Sequence, residues 1–126
     1  MLMLQTPETA RDIADAIIKA SEKLNRDYVF IASTDWTHYE PHEIAVKKDA
    51  LALKMVSNID PEGLFKVVRE KNISTCGYGA VMALLYIARS LNVRAAEILK
   101  YATSGDVTGD KGAVVGYASV RIPLEG

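Results

Sequence analysis

His38, Asp35 and Cys76 are the residues in this chain whose types and settings could support chemistry. The first two lie in Ser33-Thr34-Asp35-Trp36-Thr37-His38-Tyr39-Glu40-Pro41. Imidazole titrates near neutrality and ligates metals, so His38 could bind a metal or move a proton, or it could be an ordinary histidine held by local hydrogen bonds. Asp35, three residues earlier, could accept a ring N–H and orient the imidazole, or it could simply cap a turn. Cys76 stands between Thr75 and Gly77, just ahead of an apolar stretch. Unpaired N–H groups and the helix dipole favour a thiolate at a helix start; a buried, inert thiol is the alternative.

Other residues could complete a pocket. Trp36 and Tyr39 flank the Asp–His pair as candidate substrate contacts. Gly77 and Gly79 would let the backbone approach a ligand, and the amino end of their helix could receive a small anion or a carboxylate. Ser104-Gly105-Asp106 could present a hydroxyl and a carboxylate to the substrate, or could be a plain turn. His42, four residues past His38, is not its helical metal partner. Pro41 begins a helix, so His38 lies outside it and His42 is expected in the first turn, facing solvent. The chain has no G-x-S-x-G elbow and no phosphate-loop spacing.

These residues need elements to position them. Tyr28-Val29-Phe30-Ile31-Ala32 reads as a buried strand, and the polar residues that follow would stand at its carboxyl end, where open α/β sheets bind ligands. Thr6-Pro7, Glu40-Pro41 and Asp60-Pro61 each place a proline at a helix start. The first helix is expected from Pro7 to about Leu24, burying Ile13, Ile17, Ala20 and Leu24. The second is expected from about Pro41 to Asn58, with Leu51 and Met55 on one side and Lys47, Lys48 and Asp49 facing water. The third should run from Pro61 to about Lys71 with Leu64, Phe65, Val67 and Val68 inward. The fourth, about Gly77 to Leu91, is the most apolar and should be central. Strands are expected over Glu97–Thr103 and Ala113–Ile122, joined by a loop at 105–112. Apolar Met1-Leu2-Met3-Leu4 resembles a strand entered midway.

A chain of 126 residues is one domain, 1–126, and 49% hydrophobic with 25% charged residues is the balance of a globular protein. A net charge of -1 with interspersed signs argues against nucleic-acid and membrane-surface partners. No apolar run is long enough to span a membrane. A single cysteine cannot form an internal disulfide, which points to a reducing, cytoplasmic setting.

Five blocks in order resemble the Memo family, also known as AmmeMemoRadiSam system protein B. They are Ser33-Thr34-Asp35-Trp36-Thr37-His38-Tyr39, Ile59-Asp60-Pro61, Thr75-Cys76-Gly77-Tyr78-Gly79, Leu99 to Asp106, and Val114-Val115-Gly116-Tyr117-Ala118. The resemblance is to the carboxyl-terminal half of the family's domain. It implies an α/β fold with a central mixed β-sheet flanked by helices, similar to part of the class III extradiol dioxygenases. It also implies a pocket in which His38 and Cys76 match a histidine and a cysteine, with Asp35 as the carboxylate beside them. Iron or copper is the implied metal of the complete pocket, and a redox reaction on a small substrate is the implied activity. A binding module for a peptide or small anion is the alternative. The other pocket histidines would come from an amino-terminal half, so this chain alone should bind metal weakly or not at all. Its uncovered surfaces should self-associate or bind that half.

Overall fold

The computed structural model describes residues 5–24 and 29–123. Met1 to Leu4, where a strand was expected, and Tyr28 lie outside them. Five helices and three strands follow in the order α1 (Pro7–Leu24), β1 (His38–Glu40), α2 (His42–Ser57), α3 (Pro61–Glu70), α4 (Tyr78–Ser90), β2 (Glu97–Thr103), α5 (Ser104–Thr108) and β3 (Val114–Arg121).

Proline and capping chemistry set the helix starts. Thr6 Oγ1 accepts from Thr9 N at 3.2 Å ahead of α1, and Asp60 Oδ1 accepts from Gly63 N at 2.9 Å ahead of α3. The 105–112 stretch, expected as a loop, contains the short α5. Asp106 Oδ2 accepts from Thr103 N at 2.8 Å, and Gly109 ends the turn in the left-handed conformation at φ 81°.

The sheet has the order β1-β3-β2, with both pairs antiparallel. Among the described residues it is therefore not the mixed sheet expected. The apolar segment 29–32 joins none of these strands. It is not buried either: Val29 is 88% and Ile31 84% exposed, while Phe30 and Ala32 rest on the core.

The α2 helix packs on β2 and β3, α3 on α2 and α4, and α1 on α4. Helix α4 is the core's centre, with Met82, Leu85 and Ala88 fully buried. Ala10 and Ala14 give α1 a small-residue face against it, whereas Ala20 and Leu24, expected inside, are exposed. The α3 and α4 surfaces are tied by Arg89, which donates to both carboxylate oxygens of Glu62 at 2.9 Å.

Helix α2 departs most from expectation. Leu51 is 40% exposed, and Asp49, expected in water, is 0% exposed. Asp49 Oδ1 accepts from Thr37 N at 3.0 Å and Thr37 Oγ1 at 2.7 Å, and Oδ2 accepts from the Tyr101 hydroxyl at 2.5 Å. Gly116 makes room for this carboxylate, since a Cβ there would overlap both Asp49 Oδ2 and the Tyr101 hydroxyl. One side chain thus joins α2, the segment leading to His38, and the β2–β3 pair.

Two outcomes follow. Asp49→Ala strands three donors in a buried setting and should cost about 3 kcal/mol in urea denaturation. Burial and the bond to Asp49 raise the Tyr101 pKa well above its ordinary value. Below about pH 10 the folded and unfolded chains both keep this proton, so its contribution is complete. Above that, the unfolded chain ionises first and stability falls as pH rises. Denaturation followed at alkaline pH should show this decline, and Tyr101→Phe should make it shallower.

Candidate functional site

Two connections meet at the carboxyl side of the apolar segment. One carries Asp35 and His38 into β1; the other carries Cys76 from α3 to α4. Gly77 permits the approach: a Cβ there would sit 2.8 Å from Ser33 O and 2.8 Å from Thr34 Cβ. Hydrogen bonds then clasp the two backbones. Gly77 N donates to Thr34 Oγ1 at 2.7 Å, Thr75 Oγ1 donates to Asp35 O at 2.8 Å, and His38 N donates to Ser74 Oγ at 2.8 Å.

The clasp brings one ligand atom each from Asp35, His38 and Cys76 to within 4.8 Å of one another. His38 Nδ1 lies 2.5 Å from the Ser74 carbonyl oxygen. A carbonyl only accepts, so Nδ1 carries a proton, and in the neutral ring Nε2 keeps its lone pair. Nε2 faces Asp35 Oδ2 at 3.7 Å, beyond hydrogen-bond reach. Asp35, expected to orient the ring by taking its N–H, therefore stands among the ligand atoms, and Ser74 does the orienting. No sequence signal marks this role, because a backbone carbonyl is common to every residue type.

Imidazole nitrogen, carboxylate oxygen and sulfur converging in this way form a donor set for a cation. Bond lengths of roughly 2.0–2.3 Å imply ligand atoms about 3.3–3.8 Å apart in a tetrahedral site, so side-chain shifts of about 1 Å would complete it. Such mixed ligands suit zinc, copper and iron. Three donors leave a coordination position open, and Cys76 is exposed. The residues present thus fit a metal.

The remaining candidates are placed differently. Trp36, a candidate substrate contact in the sequence, is 3% exposed and packs in the core, where it borders an apolar hollow with Val56, Val81 and Leu84; it anchors the segment. Tyr39 is 78% exposed and lies edge-on to His38 with ring centres 5.9 Å apart. Its φ of 59° is uncommon for a bulky residue. Ser104 and Asp106 sit across β3 from the His38 strand and are occupied locally. Ser104 Oγ accepts from Val115 N at 3.0 Å, and the Thr103 amide holds the Asp106 carboxyl below the ordinary carboxylate range. His42 is half-buried, not free in solvent; its Nδ1 is 2.8 Å from Thr103 Oγ1. It is helical while His38 lies in β1, so the two form no helical pair. At the amino end of α4, Gly77 N and Gly79 N are bonded to Thr34 Oγ1 and Gln5 Oε1, which removes two donors an anion would use.

The family model for Memo-like protein matches residues 1–121. This chain belongs to the Memo family. It is similar to a MEMO1 family protein of Ignicoccus hospitalis, 50% identical over 124 residues, covering 98% of this chain and 44% of the relative. A MEMO1 family protein of Methanocaldococcus jannaschii is 50% identical over 121 residues, covering 96% and 42%. One of Sulfolobus acidocaldarius is 45% identical, again covering 96% and 42%. The chain therefore spans less than half the length of these Memo relatives. No described helix is long and apolar enough to cross a membrane.

The ring orientation is directly measurable. Nitrogen-15 correlation spectra of the neutral His38 ring should show the proton on Nδ1; a proton on Nε2 would contradict the Ser74 contact.

Proposed function

We propose that this Memo-family chain supplies the Asp35–His38–Cys76 face of a metal-dependent redox centre acting on a small molecule, with iron or copper as the metal. The observation that supports it is the convergence of three unlike donors around an imidazole whose other nitrogen is held by the Ser74 carbonyl. Second-shell contacts of that kind fix the tautomer and ring angle of metal-bound histidines. In this reading Cys76 binds as thiolate, His38 binds through Nε2, and Asp35 is a third ligand or receives a substrate proton. When bound, iron or copper would supply electron transfer or oxygen activation that no side chain here provides. The resemblance to class III extradiol dioxygenases favours an oxygen-dependent step. Tyr39 stands beside His38 and is available to a substrate. Because the curated relatives are more than twice as long as the matched region, activity and full metal affinity belong to the complete domain.

A peptide- or anion-binding module in the same place is the second reading, but the occupied amides of Gly77 and Gly79 weaken it.

Titration with Fe(II) and Cu(I) under anaerobic conditions tests the proposal. The isolated chain should bind one equivalent weakly. Cys76→Ser should abolish that binding and His38→Ala should weaken it at least about tenfold, the scale on which coordination-sphere changes act. Equal metal affinity in the wild type and both variants would refute the assignment.

A further inference from the structure

Lys48, expected in water beside Lys47, has a side chain that is only 22% exposed. Its ammonium donates to Glu40 Oε1 at 2.7 Å and to the Asn72 carbonyl at the longer distance of 3.4 Å. Glu40 follows His38 by two residues in β1, and Asn72 precedes Ser74 by two in the turn after α3. One cation therefore joins the two backbones whose contact holds the imidazole, the Ser74 carbonyl accepting from His38 Nδ1. Consecutive residues of α2 grip the chain on both sides of His38. Asp49 takes Thr37, and Lys48 takes Glu40.

Two features distinguish this strap from an ordinary surface ion pair. The Glu40 side chain is 29% exposed, and its Oε2 is buried without a hydrogen-bond partner among the described residues. A carboxylate partly withdrawn from water depends on its ion partner, so Lys48 sets where Glu40 lies. Asn72 leaves α3 in the left-handed conformation at φ 51°, which asparagine tolerates, and the ammonium holds the carbonyl of that turn.

We propose that Lys48 is a positioning residue for His38. Acting through Glu40 and the Asn72 turn, it keeps the Ser74 carbonyl on Nδ1 and so leaves Nε2 free for a metal. The use of Nε2 rests on the metal-centre reading above; the orientation of the ring rests on the hydrogen bonds alone. With the strap cut, the Ser74 contact slackens, and Asp35 Oδ2, 3.7 Å from Nε2, draws the proton to that nitrogen instead.

Nitrogen-15 spectra of the neutral His38 ring, recorded on the full chain without metal, test this. The expected result is a proton on Nδ1 in the wild type, a shift toward Nε2 in Lys48→Met, and recovery of Nδ1 in Lys48→Arg. Lys47→Met, at the exposed neighbouring position, should leave the ring unchanged. Circular dichroism reports whether Lys48→Met folds. If it does not, Glu40→Gln, which keeps the side chain's volume and removes its charge, is read in its place with the same expected shift. An Nε2 proton in the wild type, an unmoved proton in the folded variant, a shift that Lys48→Arg does not reverse, or an equal shift in Lys47→Met would each overturn the proposal. The Cys76→Ser titration with Fe(II) and Cu(I) decides the metal reading separately, and its failure would leave the ring result standing.

Discussion

A carboxylate removed from water holds this protein's parts in relation to one another. Asp49 takes the main-chain N–H and hydroxyl of Thr37 on one oxygen and the Tyr101 hydroxyl on the other. A buried carboxylate left short of donors is costly, so the three donors and the acceptor constrain each other. Thr37 precedes His38 directly, and Trp36 N donates to Gly116 O while Gly116 N donates to Thr37 O, both at 2.9 Å. The position of the imidazole is therefore set from α2 and the sheet, by a residue that never touches the donor set.

The donor set itself is built by backbone more than by side chains. Ser74 contributes a carbonyl to fix the ring and a hydroxyl to fix the His38 amide. Gly77 contributes the absence of a Cβ, which lets the Thr34–Asp35 and Thr75–Cys76 stretches lie against each other. Two short connections, each pinned at several points, hold Asp35, His38 and Cys76 together more firmly than a free loop could. Conformational entropy that would otherwise be lost on binding a cation is already spent in folding.

Much of this was legible in the residue order. The proline-led starts of α1 and α3, the apolar α4 and the two carboxyl-terminal strands follow from local rules, and Memo membership follows from blocks of side chains in sequence. The helical face of α2 was not legible. Asp49 among Lys47 and Lys48 looks like a solvated charge run, and only the arrival of Thr37 and Tyr101, 12 and 52 residues away, makes its burial favourable. The strand at 28–32 failed for the opposite reason. Its composition favours a strand, but a strand is a relation between segments, and residues 29–32 join none of the described strands.

By itself the sequence determined which chemical groups this chain carries and which local elements it favours, because capping, proline placement and apolar periodicity act over a few residues. It also determined the family, since side-chain order is retained across relatives. Tertiary structure alone decided that Asp35 and His38 meet Cys76 from some 40 positions away, that a carbonyl and not a carboxylate orients the imidazole, and that Asp49 lies inside. Those outcomes depend on distances between segments far apart along the chain, and such distances are fixed only when burial and hydrogen bonding are satisfied for all segments at once.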